Sequence, residues 1–151
     1  MIGMNKKTLL GVVLMSGLLA HQLNAREHQS FDKDWLFVLA DSAGMQKSEY
    51  ADGHWRRLNL PHDWAIEGDF SPSNPSGAGG GALPGGIGWY RKHFSVNPKE
   101  KYDRFTITFD GVYMNSTVYI NGHKLGTRPY GYSTFEYDLT PYINKKGDNV
   151  I

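Results

Sequence analysis

The side chains best suited to ligand chemistry lie where the backbone is least regular. His62, Asp63 and Trp64 follow Pro61 and lead into a long stretch, Asp69 to Gly88, dense in Gly and Pro. A histidine, a carboxylate and an indole beside such a loop could contact a polar ligand. They could equally be structural, with Trp64 packed under the loop and Asp63 accepting from backbone N–H groups in a turn. Turn chemistry favours the structural role. Arg128, Tyr130 and Tyr132 occupy a second loop containing Gly and Pro. There an arginine could donate to hydroxyl groups and a tyrosine could stack on a ring face, although packing against a neighbouring domain is the expected role.

Other signals are weaker. Hydrolysis by paired carboxyl groups needs both held rigidly on either side of the reacting bond. Beyond residue 25 the glutamates are Glu27, Glu49, Glu67, Glu100 and Glu136. None ends an apolar strand beside polar partners, so most are expected on solvated surface. Gly77 to Ala82 formally fits a dinucleotide fingerprint. It lacks the preceding strand and following helix that would place a phosphate at a helix N-terminus, and Pro72, Pro75 and Pro84 flank it. The six histidines show no metal-ligand spacing. Gly131-Tyr132-Ser133 is not a nucleophile elbow, because the second Gly and the strand–turn–helix setting are missing. Asn115-Ser116-Thr117 matches a glycosylation sequon but enters an expected strand. With no cysteine, disulfides, thiolate metal sites and a cysteine nucleophile are excluded.

The elements that must position these residues read as strands. Trp35 to Leu39 is a short apolar run of strand type, and Trp55 to Leu60 reads as a short strand closed by Pro61. Trp89 to Val96 can be a strand with Tyr90, Phe94 and Val96 on one face. Phe105 to Phe109 and Phe135 to Leu139 alternate apolar and polar residues. Asn121-Gly122 between two strand-like runs predicts a two-residue hairpin, because both central positions of a type I′ turn need positive φ. Many short strands with turn chemistry between them predict an all-β, antiparallel β-sandwich of jelly-roll type. Asn149-Val150-Ile151 reads as the start of a strand with no partner or cap. That reading predicts a fragment of a longer protein, marginally folded or poorly soluble alone.

Composition bounds the rest. The 151 residues suffice for one domain, and 4 Trp, 9 Tyr and 7 Phe suit sheets and large apolar cores. A formal net charge of +1, with no run of like charges, carries no electrostatic footprint for nucleic acid. Met4-Asn5-Lys6-Lys7, the apolar stretch Thr8 to Ala20 and Leu23-Asn24-Ala25 have the layout of a secretory signal peptide over residues 1–25. The apolar stretch is short for a membrane span. Export to the periplasm or beyond the cell is therefore expected, with residues 26–151 as the mature domain and no membrane association after cleavage.

Several segments in order carry a resemblance. They are Leu60-Pro61-His62-Asp63-Trp64, Leu83 to Lys92, Phe109-Asp110-Gly111-Val112-Tyr113-Met114-Asn115-Ser116, Val118 to His123, Tyr130-Gly131-Tyr132 and Tyr137-Asp138-Leu139-Thr140. Together they resemble the sugar-binding N-terminal domain of family 2 glycoside hydrolases, most closely the β-galactosidase branch. The resemblance spans residues 31–151. It implies a galactose-binding-like jelly roll followed by an immunoglobulin-like domain and a (β/α)₈ barrel that carries both catalytic glutamates. The acid/base glutamate of the family follows an Asn, and this sequence has no Asn-Glu dipeptide. The chain alone is thus expected to be inactive, in a protein that hydrolyses terminal β-glycosides or oligosaccharides. The alternatives are a β-glucuronidase- or β-mannosidase-type member, or a non-catalytic carbohydrate-binding module.

In some members a loop of this domain reaches the barrel mouth and an Asn touches the sugar. The matching loop here is Pro84 to Gly88, with Gly86 at the Asn position, so backbone contacts replace that side chain. The substrate-binding candidates are therefore Asp63, Gly85, Gly86, Arg128 and Tyr130. Family members can use Mg²⁺ or Na⁺, but no cofactor ligand is identifiable in this segment.

Overall fold

The computed structural model describes residues 26–99 and 102–151. The expected signal peptide, residues 1–25, lies outside them, as does Glu100. Among the described residues, nine strands form four antiparallel groups. No helix among the described residues is long and apolar enough to cross a membrane.

Strand β1 (Trp35–Leu39) is central to a three-stranded sheet, between β2 (Arg56–Leu58) and β3 (Gly88–Arg91). The apolar run forms this strand as expected, with Trp35 and Phe37 buried on the same face. The stretch read as one strand from Trp89 to Val96 is broken at Lys92 into β3 and β4 (His93–Ser95). The break has a cause. The Lys92 backbone N–H and C=O both bond to Ile151, at 2.8 and 3.0 Å, so the chain changes partner there.

That contact corrects the expectation for the last residues. Asn149-Val150-Ile151 does not lack a partner. Strand β9 (Asp148–Val150) pairs with β4 in the register His93↔Val150, Phe94↔Asn149 and Ser95↔Asp148. Ile151 is buried and joins the core. These residues thus have a partner on one side, β4, within a two-stranded pair.

Strand β5 (Thr106–Phe109) pairs with β8 (Phe135–Asp138), and Phe109 stacks on Phe135 at 5.0 Å. Strand β6 (Ser116–Ile120) and β7 (His123–Arg128) form the expected hairpin through Asn121 (φ 49°) and Gly122 (φ 83°). Its register pairs Val118 with Gly126 and Tyr119 with Lys124, leaving Leu125 as a bulge residue. Leu125 packs on the core.

That core joins the groups. Trp35, Ile107, Ile120, Leu139 and Ile151 form one buried cluster, so each sheet contributes its apolar face to a common interior. The Asp69–Gly88 stretch is irregular as expected, apart from a single 3-10 turn at Ala78–Gly80.

Candidate functional site

One open cleft gathers the loops singled out by sequence. Its walls include His62, Asp63, Gly85, Gly86, Tyr113 and Tyr132. Three of the five candidates thus meet on one surface, although Asp63 and Gly86 are 23 positions apart in the chain.

The floor is built from Trp64. A Cβ placed on Gly88 would lie 2.9 Å from Trp64 Nε1 and 3.1 Å from Phe37. A Cβ on Gly86 would lie 3.7 Å from the Trp64 ring and 3.3 Å from Leu39, and Gly86 has φ +149°. Glycine therefore lets the Pro84–Gly88 backbone settle directly on the indole. Asp63 takes its structural role, with Oδ1 accepting from the Ala65 N–H at 2.9 Å. A Gly88→Ala substitution should destabilise the fold by about 1–3 kcal/mol through overpacking, read in a thermal melt. An unchanged melt would mean that the loop does not rest on Trp64.

A polar network holds this floor in place. His62 Nδ1 lies 2.8 Å from the Tyr90 hydroxyl on β3, and its Nε2 lies 3.1 Å from Glu67 Oε1. Arg56 on β2 donates to Glu67 Oε2 at 2.6 Å and lies 3.0 Å from His62 Nε2. The Phe37 ring meets the imidazole edge-on at 4.9 Å. Hydrogen bonds from Arg56 and then His62 hold the Glu67 carboxyl below its usual range. Burial, then the nearby Asp63 and Glu67 charges, push the Tyr90 hydroxyl up to about 12, so it stays a neutral donor. Glu67 stays exposed, as expected of most of the glutamates, and also links Arg56 and His62 in this network.

The opposite wall is aromatic. Tyr113 and Tyr132 meet at 6.1 Å and Tyr130 and Tyr132 at 5.7 Å, all three largely exposed. Their loops are clamped by close backbone approach, since a Cβ on Gly131 would sit 2.9 Å from Tyr113 Cα. Tyr130 joins this cluster through Tyr132 but does not itself line the cleft. Arg128 does not line it either. Its guanidinium lies over Phe135 (5.5 Å) and Tyr137 (5.9 Å) on β8 of the same domain.

No group of three or more His, Cys, Asp or Glu that could hold a metal forms among the described residues. Glu136 is tied to Arg26 and Thr108, Glu49 to Ser48, and Glu27 accepts from the Tyr102 hydroxyl. The cleft walls carry tyrosine and tryptophan rings and the His62 imidazole, groups that can contact a polar ligand.

Comparison with known proteins places this arrangement. The model of the family described as "Glycosyl hydrolases family 2, sugar binding domain" matches residues 82–151. These residues belong to that sugar-binding domain family. The family 2 match runs from the cleft loop through β9 and includes Gly85, Gly86, Arg128 and Tyr130, while Asp63 precedes it. The β-galactosidase BoGH2A of Bacteroides ovatus is 58% identical over 129 residues, 85% of this chain and 15% of that protein. A putative β-glucuronidase of Formosa agariphila is 47% identical over 126 residues, 83% of this chain and 12% of that protein. The structure of a β-glycosidase from Bacteroides vulgatus superposes with a TM-score of 0.76 at 50% identity, covering 80% of this chain and 16% of that one. This family 2 chain thus spans about one seventh of the length of such relatives.

Proposed function

We propose that this chain is the N-terminal accessory domain of an exported glycoside hydrolase that cleaves terminal β-glycosides, with β-galactosides as the first substrate class. The observation that carries the reading is the 58% identity to a β-galactosidase across 129 residues, a span long enough to hold both walls of the cleft. The two carboxyl groups of such a reaction belong on a later part of the protein. The domain is a jelly roll whose Pro84–Gly88 backbone and tyrosine wall border a substrate pocket completed by an immunoglobulin-like domain and a (β/α)₈ barrel. Exposed Leu39, Ile66, Phe70 and Ile87 lie on or beside the cleft loops and suit packing against those domains. Residues 1–25 serve as the export signal, delivering the enzyme to the periplasm or the exterior.

A second reading, β-glucuronidase activity, is favoured by the 47% identity to a putative enzyme of that type. Turnover of nitrophenyl β-galactoside and β-glucuronide by the full-length gene product tests both. The galactoside should be hydrolysed with the higher kcat/KM. Turnover by residues 26–151 alone would overturn the assignment of the chemistry to later domains. Tight binding of galactosides by that segment alone would instead favour a non-catalytic module.

A further inference from the structure

His93 on β4 stands between two carboxylates brought from distant parts of the chain. Its Nε2 lies 2.8 Å from Asp52 Oδ2, and its Nδ1 lies 2.9 Å from Asp148 Oδ2. An ionised carboxylate only accepts, and a neutral imidazole carries a single N–H. The imidazolium alone donates to both partners; the neutral ring leaves one nitrogen facing an acceptor. The ring thereby joins the irregular 40–55 segment, through Asp52, to β9, through Asp148. We infer that protonated His93 is a clasp that locks the 40–55 segment onto the β4–β9 pair and loosens it as the ring gives up its proton.

The groups facing the ring are few. Asp52 comes from the segment and Asp148 from β9, while Arg91 on β3 donates to the same Asp52 oxygen at 2.7 Å. Neighbouring Lys92 turns away, its ammonium 4.7 Å from the Phe31 ring. Burial acts to lower the His93 pKa, but the bonds to Asp52 and then Asp148 outweigh it and raise the value above the ordinary one. For Asp52, burial acts upward and the bonds from His93 and then Arg91 prevail, so its carboxyl is held below the usual range. A folded-state value raised for a histidine means the clasp is complete below pH about 6.5 and lost as pH rises through the raised value. Arg91 still holds Asp52 there, so the segment loosens rather than detaches.

Amide hydrogen exchange on the full-length protein between pH about 5.5 and about 8.5, corrected for intrinsic rates, tests this. Protection of residues 41–55 and 148–151 should fall several-fold, with a midpoint above about 6.5 and a limit of about tenfold per unit of raised pKa. His93→Gln should abolish the pH dependence, and Asp148→Asn should lower the midpoint and shrink the change. Identical pH profiles for wild type and His93→Gln would overturn the clasp. Should that variant fail to fold, the wild-type His93 ring C–H resonances decide, and a midpoint at or below about 6.5 overturns it.

Discussion

An Arg91→Met substitution is expected to cost about 3–5 kcal/mol of folding stability, read as a lower urea midpoint at unchanged slope. Native domains are stable by about 5–15 kcal/mol, so this single change approaches complete unfolding. Arg91 is 3% exposed and its guanidinium makes four hydrogen bonds. Nε donates to Asp52 at 2.7 Å, Nη1 to the carbonyls of Met45 (2.7 Å) and Lys47 (3.0 Å), and Nη2 to Ser48 at 3.2 Å. The Trp55 ring lies 5.8 Å from its Cζ. The irregular 40–55 segment has little apolar anchorage beyond Met45 and Trp55, so this one side chain gathers its backbone. The size of the effect comes less from attraction than from what is left behind: a 13%-exposed carboxylate and three carbonyls without their donor. Arg91→Lys should recover only part of the loss, because an ammonium cannot reproduce the planar fork that reaches four acceptors. A loss under about 1 kcal/mol in Arg91→Met would show that water replaces the guanidinium.

The second large effect is expected at Asn149, a fully buried amide at the middle of β9. Its Oδ1 accepts from the Asn144 N–H (2.7 Å) and from Asn121 Nδ2 (2.8 Å), and its Nδ2 donates to the carbonyls of Asn144 (3.0 Å) and Gly147 (3.4 Å). Asn121 completes the link, with Oδ1 accepting from the Val150 N–H at 2.8 Å and Nδ2 also donating to the Tyr142 carbonyl. Asn149→Leu keeps the volume but strands these partners, each at about 1–3 kcal/mol, so a total of at least about 3 kcal/mol is expected in the same urea experiment. Asn121→Gly separates the two jobs of that residue. Glycine keeps the left-handed turn geometry but removes the side-chain bonds to β9, so a clear loss there marks the network rather than the turn. A near-wild-type midpoint for Asn149→Leu would refute the network as a stabilising unit.

Strand positions were readable because a two-residue period and turn chemistry are local properties. Trp35 to Leu39 is a short apolar run, and β1 occupies those five residues; Asn121-Gly122 announces its own hairpin. Asp63 in a turn and Trp64 under the glycine loop were legible for the same reason, because the residue types carry their nearest-neighbour geometry. The family resemblance was legible as an ordered set of such local motifs.

What lay beyond the sequence was partnership. Nothing near Lys92 signals that its backbone bonds to Ile151, nor does Asn149 announce a mate on β4. No local pattern singles out Arg91, yet it is buried against carbonyls 43 to 46 positions away. Glu67 is solvated as read, but its bonds to Arg56 and His62 were not legible. Alternation tells a strand which side faces inward but not which strand will lie beside it. Charge on a side chain says nothing of whether a distant loop will fold over it. Those choices follow from closing one apolar interior around Trp35, Ile120 and Ile151, where the lowest free energy belongs to the arrangement of the whole chain and to no segment of it.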